Sequence, residues 1–135
     1  MKMNVPARVE SIPKITDWIG EALEAIRCPM KTQMQINVAI DEVFSNIARY
    51  AYPDGEGDAS VQFDFDAENG LLTLVFSDHG IPFDPLKKAD PDTTLASENR
   101  QIGGLGIFLV KKTMDEVSYR YENGENVLSL KKKIG

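Results

Sequence analysis

The sequence predicts an α/β two-layer sandwich: a mixed, mainly antiparallel sheet with three helices on one face. Three observations carry that expectation. Apolar residues recur at steps of three and four in separate stretches, the spacing that keeps them on one side of a helix. Residues 59–66 alternate apolar and polar, the mark of a strand with one wet face. Asn-Gly stands between strand-like runs at 69–70 and again at 123–124, where both residues tolerate positive φ. Each helical stripe needs a cover, and one sheet serves all three.

Residues 1–5 read as a short strand, with Pro6 acceptable at an edge or a helix start. From 7 to 27 the residues Val9, Ile12, Ile15, Ile19, Leu23 and Ile26 form a helical stripe, which Pro13 either kinks or shifts in its start. Pro29 ends that helix, and a second runs over 31–52 on Ile36, Ile40, Val43 and Ile47. Trp18 and Met34 are core or partner-facing. After Tyr52-Pro53, the cluster Asp54-Gly55-Glu56-Gly57 supplies a turn. Strands at 59–66 (Val61, Phe63 and Phe65 alternating with Gln62 and Asp64) and 71–77 form a hairpin. Residues 84–102, DPLKKADPDTTLASENRQI, have no sustained period and read as a long loop, which at that length is a functional lid or disordered. Gly103-Gly104-Leu105-Gly106 closes it and opens a helix over 105–114. A last hairpin joins 116–122 to 127–133, and Lys131-Lys132-Lys133 reads as the solvated end of an edge strand.

A chain of 135 residues is expected to make one domain, 1–135, and to bury about two-thirds of its unfolded surface. Hydrophobic residues at 42% and charged ones at 27% are an ordinary globular balance. The net charge of −6 argues against a nucleic-acid partner, whose phosphates want a basic excess. No apolar run is long enough to span a bilayer and the N-terminus lacks a signal pattern, so no membrane partner and a cytoplasmic location are expected. Cys28 alone cannot form an intramolecular disulfide. With His79 as the single histidine, a zinc site is disfavoured.

The chemistry gathers around the second helix, in the run QINVAIDEVFSNIARYA. Glu42 and Asn46 stand i,i+4 and so lie one above the other, at the margin of the buried stripe. Taken alone they are a solvated pair on a surface helix; at a core margin they can also line a cleft. Gly-Gly-Leu-Gly ahead of a helix supplies free N–H groups and a positive helix end, suited to phosphate, although glycines there are often only a turn. It matches neither the G-x-x-x-x-G-K-[ST] loop nor a dinucleotide fingerprint. Asp78-x-Gly80 at a strand end is a turn-former, or a carboxylate able to accept from an exocyclic amine.

Together the pieces are more specific. Glu42-x-x-x-Asn46 on a helix, Asp78-x-Gly80-x-x-Phe83 after a strand, a loop, and Gly104-x-Gly106 opening a helix resemble the GHKL ATPases, the histidine-kinase-like or Bergerat fold. The resemblance runs over essentially the whole chain. The wording Asp-x-Gly-x-Pro-Phe-Asp-Pro and the run GGLGIFLVKKTMDEVSY look most like the bacterial anti-sigma-factor serine/threonine kinases. The resemblance implies ATP and Mg²⁺ as cofactors and an anti-sigma-factor antagonist as the phosphorylated partner. Sequestration of a sigma factor and a homodimer are both compatible with it. It implies Glu42 as the base acting on the attacking hydroxyl, Asn46 as the Mg²⁺ ligand, Asp78 as the reader of the adenine amine and Gly80 as the point of close approach to the ring. Phe83, Arg100, Gly103, Gly104, Leu105 and Gly106 would contact the nucleotide, with residues 84–103 as the ATP lid. Arg100 is equally a solubilising lid residue, and the parts played by Lys87 and Lys88 are open. Mg²⁺ takes oxygen ligands, often only one or two from protein, so a metal anchor and a base one turn apart form a sensible minimal site.

Pro82 departs from the broad pattern, which usually has a second glycine there, and its fixed φ stiffens the start of the lid. These residues show no separate helical dimerisation domain with a phosphoaccepting histidine, and His79 falls inside the first glycine box, so a complete sensor histidine kinase is not expected. Two function classes remain: a serine kinase and anti-sigma switch, or an ATP-dependent module that sequesters its partner without phosphorylating it. Glu42 favours the kinase.

Overall fold

The structure, a computed structural model, describes residues 1–87 and 104–134. In chain order these form β1 (Lys2–Pro6), a 3-10 turn (Val9–Ser11), α1 (Ile12–Ala25), α2 (Met30–Tyr50), β2 (Asp58–Asp66), β3 (Leu71–Asp78), a second 3-10 turn (Pro85–Lys87), α3 (Gly104–Thr113), β4 (Glu116–Glu122) and β5 (Glu125–Lys133). The strands make one five-stranded sheet in the order β1-β2-β3-β5-β4. Every neighbouring pair in it is antiparallel, so among the described residues the sheet is antiparallel throughout rather than mixed.

The expected two layers are present. Ile15, Ile19 and Leu23 of α1, Ile36, Ile40, Val43 and Phe44 of α2, and Val110 of α3 share one core cluster with Val61, Phe63, Leu72, Leu74, Phe76, Leu128 and Leu130 of the strands. These strand residues sit at every second position, so all three helices cover the same face. The pairings Leu74–Leu130, Phe76–Leu128 and Asp78–Asn126 lie in line on that face. The apolar row of the core therefore ends, where β3 finishes and β5 begins, in two buried polar residues.

Pro13 shifts the start of the first helix rather than kinking it. It sits in the first turn of α1, where a missing N–H costs nothing, and the helix begins at Ile12 instead of residue 7. Val9 therefore falls outside the stripe and is 53% exposed. At the other end Arg27 takes φ 56°, its N–H donates to Glu24 O, and Cys28 N–H donates to Leu23 O. This is a Schellman cap with arginine in the left-handed position that usually takes glycine. Burial, and then Glu24, push the Cys28 thiol above its ordinary range.

The two Asn-Gly hairpins differ. Asn123 (φ 54°) and Gly124 (φ 77°) both take the left-handed region and close a two-residue turn with Glu122 opposite Glu125. Between β2 and β3 the paired ends are Asp66 and Leu71, so the loop has four residues and only Gly70 has positive φ. There the Asp66 carboxylate accepts from the Asn69 side chain (2.7 Å) and from the N–H groups of Glu68 and Asn69, which hold it below its usual range.

The lysine run is corrected. β5 lies between β3 and β4, so Lys131 and its neighbours end an interior strand, and β4 forms the edge. Lys131 faces Glu116 across the pair at 3.6 Å, and Lys132 Nζ donates to Thr113 O at the end of α3 (2.6 Å). Those lysines fasten the α3–β4 connection rather than protecting an edge.

Candidate active site

The end of the core row is built from a strand, a loop and a hairpin partner. Asp78, the last residue of β3, is 5% exposed. Its Oδ1 accepts from Gly80 N–H (2.8 Å) and from Asn126 Nδ2 (2.9 Å). Among the described residues Oδ2 has no hydrogen-bond partner, so half of a buried carboxylate is left facing the pocket.

Asn126 uses its whole amide. Nδ2 donates to Asp78 Oδ1 and to Ile81 O (2.8 Å), while Oδ1 accepts from Phe83 N–H (3.0 Å) and from the Tyr119 hydroxyl. One side chain thereby ties β5 to β3, to β4 and to the segment that follows Asp78. The sequence reading missed it by starting the strand at 127. The signal was available: counting back by two from Leu130 and Leu128 reaches Asn126, a polar residue at an inward position.

Gly80 is required by close packing. A Cβ there would fall on the carbonyl and Cβ of Ala51, the residue that caps α2. Ala51 O in turn accepts from Ile81 N–H (2.9 Å), so the C-terminus of α2 and the Asp78–Phe83 segment are joined backbone to backbone. Tyr52 adds a second tie, its hydroxyl donating to Asp58 O (2.6 Å) and accepting from His79 N–H (2.9 Å). Phe83 stacks on Tyr50 of α2, with ring centroids 5.0 Å apart and planes 26° apart. Burial is the main reason that the hydroxyls of Tyr52 and Tyr119 lie above their ordinary range.

These groups line a pocket whose space, open mouth included, is about 400 Å³. Val43, Ile47, Phe76 and Leu128 give it apolar walls, Asp78 and Asn126 its polar floor, and Asn46 a polar group on the α2 side. Asn46 is 5% exposed and Glu42, one turn earlier, is half-buried, which is the core-margin placement their spacing predicts. Asn46 Nδ2 donates to Glu42 Oε1 at 3.5 Å, leaving Asn46 Oδ1 with no partner among the described residues. That oxygen is a hard donor suited to a divalent cation. No cluster of three or more His, Cys, Asp or Glu side chains occurs among the described residues, so a cation here would depend on oxygens brought by a ligand.

α3 packs against α2 at Glu42. A Cβ on Gly106 would land on the Glu42 carboxylate, so the glycine lets the first turn of α3 seat against that side chain. Gly104 and Leu105 lie in the same first turn. The structure thus brings together Glu42, Asn46, Asp78, Gly80, Phe83 and Gly106. Arg100, Gly103, Lys88 and nearly all of the lid at 84–103 lie outside the described residues; Lys87 ends the second 3-10 turn.

Comparison with known proteins bears on the family and the fold. The family model of the histidine kinase-like ATPase domain matches residues 5–132. The chain is 27% identical to the serine-protein kinase RsbW of Bacillus thuringiensis (strain Al Hakam), over 97% of this chain and 83% of that protein. It is also 27% identical to the serine-protein kinase RsbW of Listeria monocytogenes serovar 1/2a, over 96% and 84%. Among solved structures it resembles a chain of the SiaB–SiaC complex from Pseudomonas aeruginosa, with a TM-score of 0.63, 18% identity and coverage of 98% and 88%. It also resembles the blue-light activated histidine kinase of Erythrobacter litoralis EL346, with a TM-score of 0.57 and 16% identity over 79% of this chain, spanning 32% of that one. No described helix is long and apolar enough to cross a membrane. A model match over nearly the whole chain, on a fold and pocket of this form, places it in a family: the chain belongs to the histidine kinase-like ATPase domain family.

Proposed function

We propose that this chain is an ATP-dependent serine/threonine-protein kinase and anti-sigma regulatory factor that phosphorylates a serine on an anti-sigma-factor antagonist. The observation that carries the reading is the seating of the Glu42 carboxylate against Gly106, one helical turn from Asn46 in the wall of the pocket that ends on Asp78. A module that only held nucleotide and partner would have no use for a carboxylate at that place. The likeness in sequence to serine-protein kinases over most of both chains supports the same reading.

Each residue then has a task. Asp78 Oδ2 accepts from the exocyclic amine of adenine, and its Oδ1 is already held by Gly80 and Asn126, so the reading oxygen is fixed in place. Gly80 admits the ring close to the backbone, with Phe83 beside it. The glycine run Gly103, Gly104, Leu105 and Gly106 would supply N–H groups to the phosphates, and residues 84–103 with Arg100 would be the lid of a single domain. Asn46 Oδ1 would hold Mg²⁺, whose chemistry there would be to neutralise charge on the transferring phosphate. Glu42 takes the proton of the partner's serine hydroxyl. The serine oxygen forms its bond to the γ-phosphorus as the bond from that phosphorus to the bridging oxygen breaks, and the electron pair leaves with ADP. Cytoplasmic location, sequestration of a sigma factor and assembly as a homodimer belong to this reading as well.

The test sets two variants beside wild type, with an anti-sigma-factor antagonist protein from the source genome as the acceptor. Glu42→Gln keeps size and much of the hydrogen bonding but cannot take the proton. Single-turnover phosphotransfer should fall by roughly 10²–10⁴-fold while ATP and partner affinities hold. Asn46→Ala should weaken Mg²⁺-ATP binding as well as transfer. Unchanged transfer in Glu42→Gln removes Glu42 from the mechanism. Binding without transfer in wild type favours the sequestering module.

A further inference from the structure

Glu42 and Asn46 belong to a longer row. Met30, Met34 and Val38 precede them at the same four-residue step, so all five lie on one i±4 ridge of α2. At 1.5 Å per residue the ridge runs about 18 Å along the helix from Met30 to Glu42. Its first three members are 65%, 62% and 48% exposed, three large apolar side chains in succession on water. Scattered exposed apolar residues need no account, but a contiguous row does.

α3 extends the patch. α2 ends beside Asp78 through Ala51, whereas α3 starts at Glu42 and ends where Thr113 accepts from Lys132, at the far end of β5. The two helices therefore run antiparallel. Leu109, about one turn on from Gly106 and 41% exposed, is displaced from the Glu42–Gly106 contact in the same direction as Val38. Exposed Lys31, Asn37 and Asp41 on α2 give the apolar ridge a polar margin.

We propose that the Met30–Met34–Val38 ridge, with Leu109, is the docking surface for the protein substrate, a folded antagonist with an apolar patch beside its serine. This rests on the serine-kinase reading and deepens it. Continuity with Glu42 decides the occupant. A protein seated on the ridge is guided toward the carboxylate that must receive its proton, while a second copy seated there would crowd the entrance. Methionine suits a partner that must leave after transfer, because its unbranched chain repacks easily.

The experiment truncates the ridge without harming the helix, using Met30→Ala, Met34→Ala and Val38→Ala together, since alanine is the best helix former. Val9→Ala, an exposed apolar residue outside the ridge, is the control. Steady-state phosphotransfer to the same antagonist protein is measured alongside ATP titration calorimetry and sedimentation. The expected result is a rise in KM for the protein acceptor of about ten-fold or more, with kcat and ATP affinity within about two-fold, and no effect of Val9→Ala. An unchanged KM in the triple variant, with wild type active, overturns the docking surface and leaves the kinase reading standing. A wild-type dimer that the triple variant dissociates, at unchanged KM, gives the face to a second copy and overturns it equally. No complex and no transfer from wild type overturns the kinase reading and this surface with it.

Discussion

Asn126→Asp is nearly isosteric, and the structure gives its cost. The Oδ1 that accepts from Phe83 N–H and Tyr119 is retained. What is lost is Nδ2, which donates at 2.9 Å to the Asp78 carboxylate and at 2.8 Å to Ile81 O. A bond to a charged group contributes about 1.5–3 kcal/mol and a neutral one about 0.5–1.5, so the two together amount to roughly 2–4.5 kcal/mol. For a chain of 135 residues, at about 3.5 °C per kcal/mol, the melting temperature should fall by about 7–16 °C. The variant also sets two buried carboxylates within hydrogen-bond reach, and these cannot both ionise cheaply. The pair shares a proton in the fold, with a value raised above that of the unfolded chain. The folded variant is therefore favoured below the unfolded value, and that support is lost as pH rises through the raised one. Urea unfolding at about pH 5.5 and about pH 8 should show a larger deficit at the higher pH, with wild type as reference. A deficit below about 1 kcal/mol, equal at both pH values, would refute the claim that Asn126 holds the site together.

Four further outcomes follow from the same contacts. Asp78→Asn can keep an oxygen for Gly80 and Asn126 while turning an amide toward the pocket, so ATP affinity should fall more than that of inorganic triphosphate; equal losses in calorimetry would reduce Asp78 to a turn-former. Gly106→Ala and Gly80→Ala should separate: the first meets only the flexible end of Glu42 and should slow transfer at little cost in stability, while the second meets the Ala51 backbone and should cost about 1–3 kcal/mol in denaturation. Arg27→Gly relieves a left-handed arginine and should raise the melting temperature by a few degrees, corresponding to about 1 kcal/mol. Tyr52 and Tyr119 are raised above 10.0 mainly by burial, so their contribution is complete below the unfolded value and is lost as pH rises through the folded one. Thermal melts should fall on the alkaline side, and less so with both tyrosines changed to phenylalanine.

Much of the fold was legible because it rests on local periodicity. The stripes on α1 and α2 placed Ile15, Ile19, Ile36, Ile40 and Val43 in the core, where they lie. Strand order was less accessible, since it is fixed by which edges meet and not by any one segment's pattern. Lys131–Lys132–Lys133 resembles an edge tail by composition, yet β5 is interior because the tight Asn123-Gly124 turn folds β4 back along its outer side. Val9 failed for a different reason. It keeps the helical spacing, but Pro13 fixes the first turn of α1, and a residue before that turn has no helix face to occupy.

The site divides along the same line. Glu42 and Asn46 could be paired from sequence because four residues on a helix is a spatial relation already. Asp78 and Asn126 are 48 residues apart and meet only through the register of β3 on β5, which the sequence does not state. Yet the register explains why the pocket lies where it does. Along the inward face Leu74–Leu130 and Phe76–Leu128 are apolar pairs, and the next pair in line, Asp78–Asn126, is polar on both strands. Two polar side chains at the end of a core row would be costly if unpaired, and here each satisfies the other. Asn126 spends all four of its hydrogen bonds doing so, whereas Asp78 retains one oxygen that nothing in the described chain fills. A fold stabilised for its own sake would have closed that row with one more apolar pair. Leaving a buried carboxylate oxygen unpartnered, rigidly held and facing an apolar pocket is the arrangement expected where a ligand's donor completes the pairing.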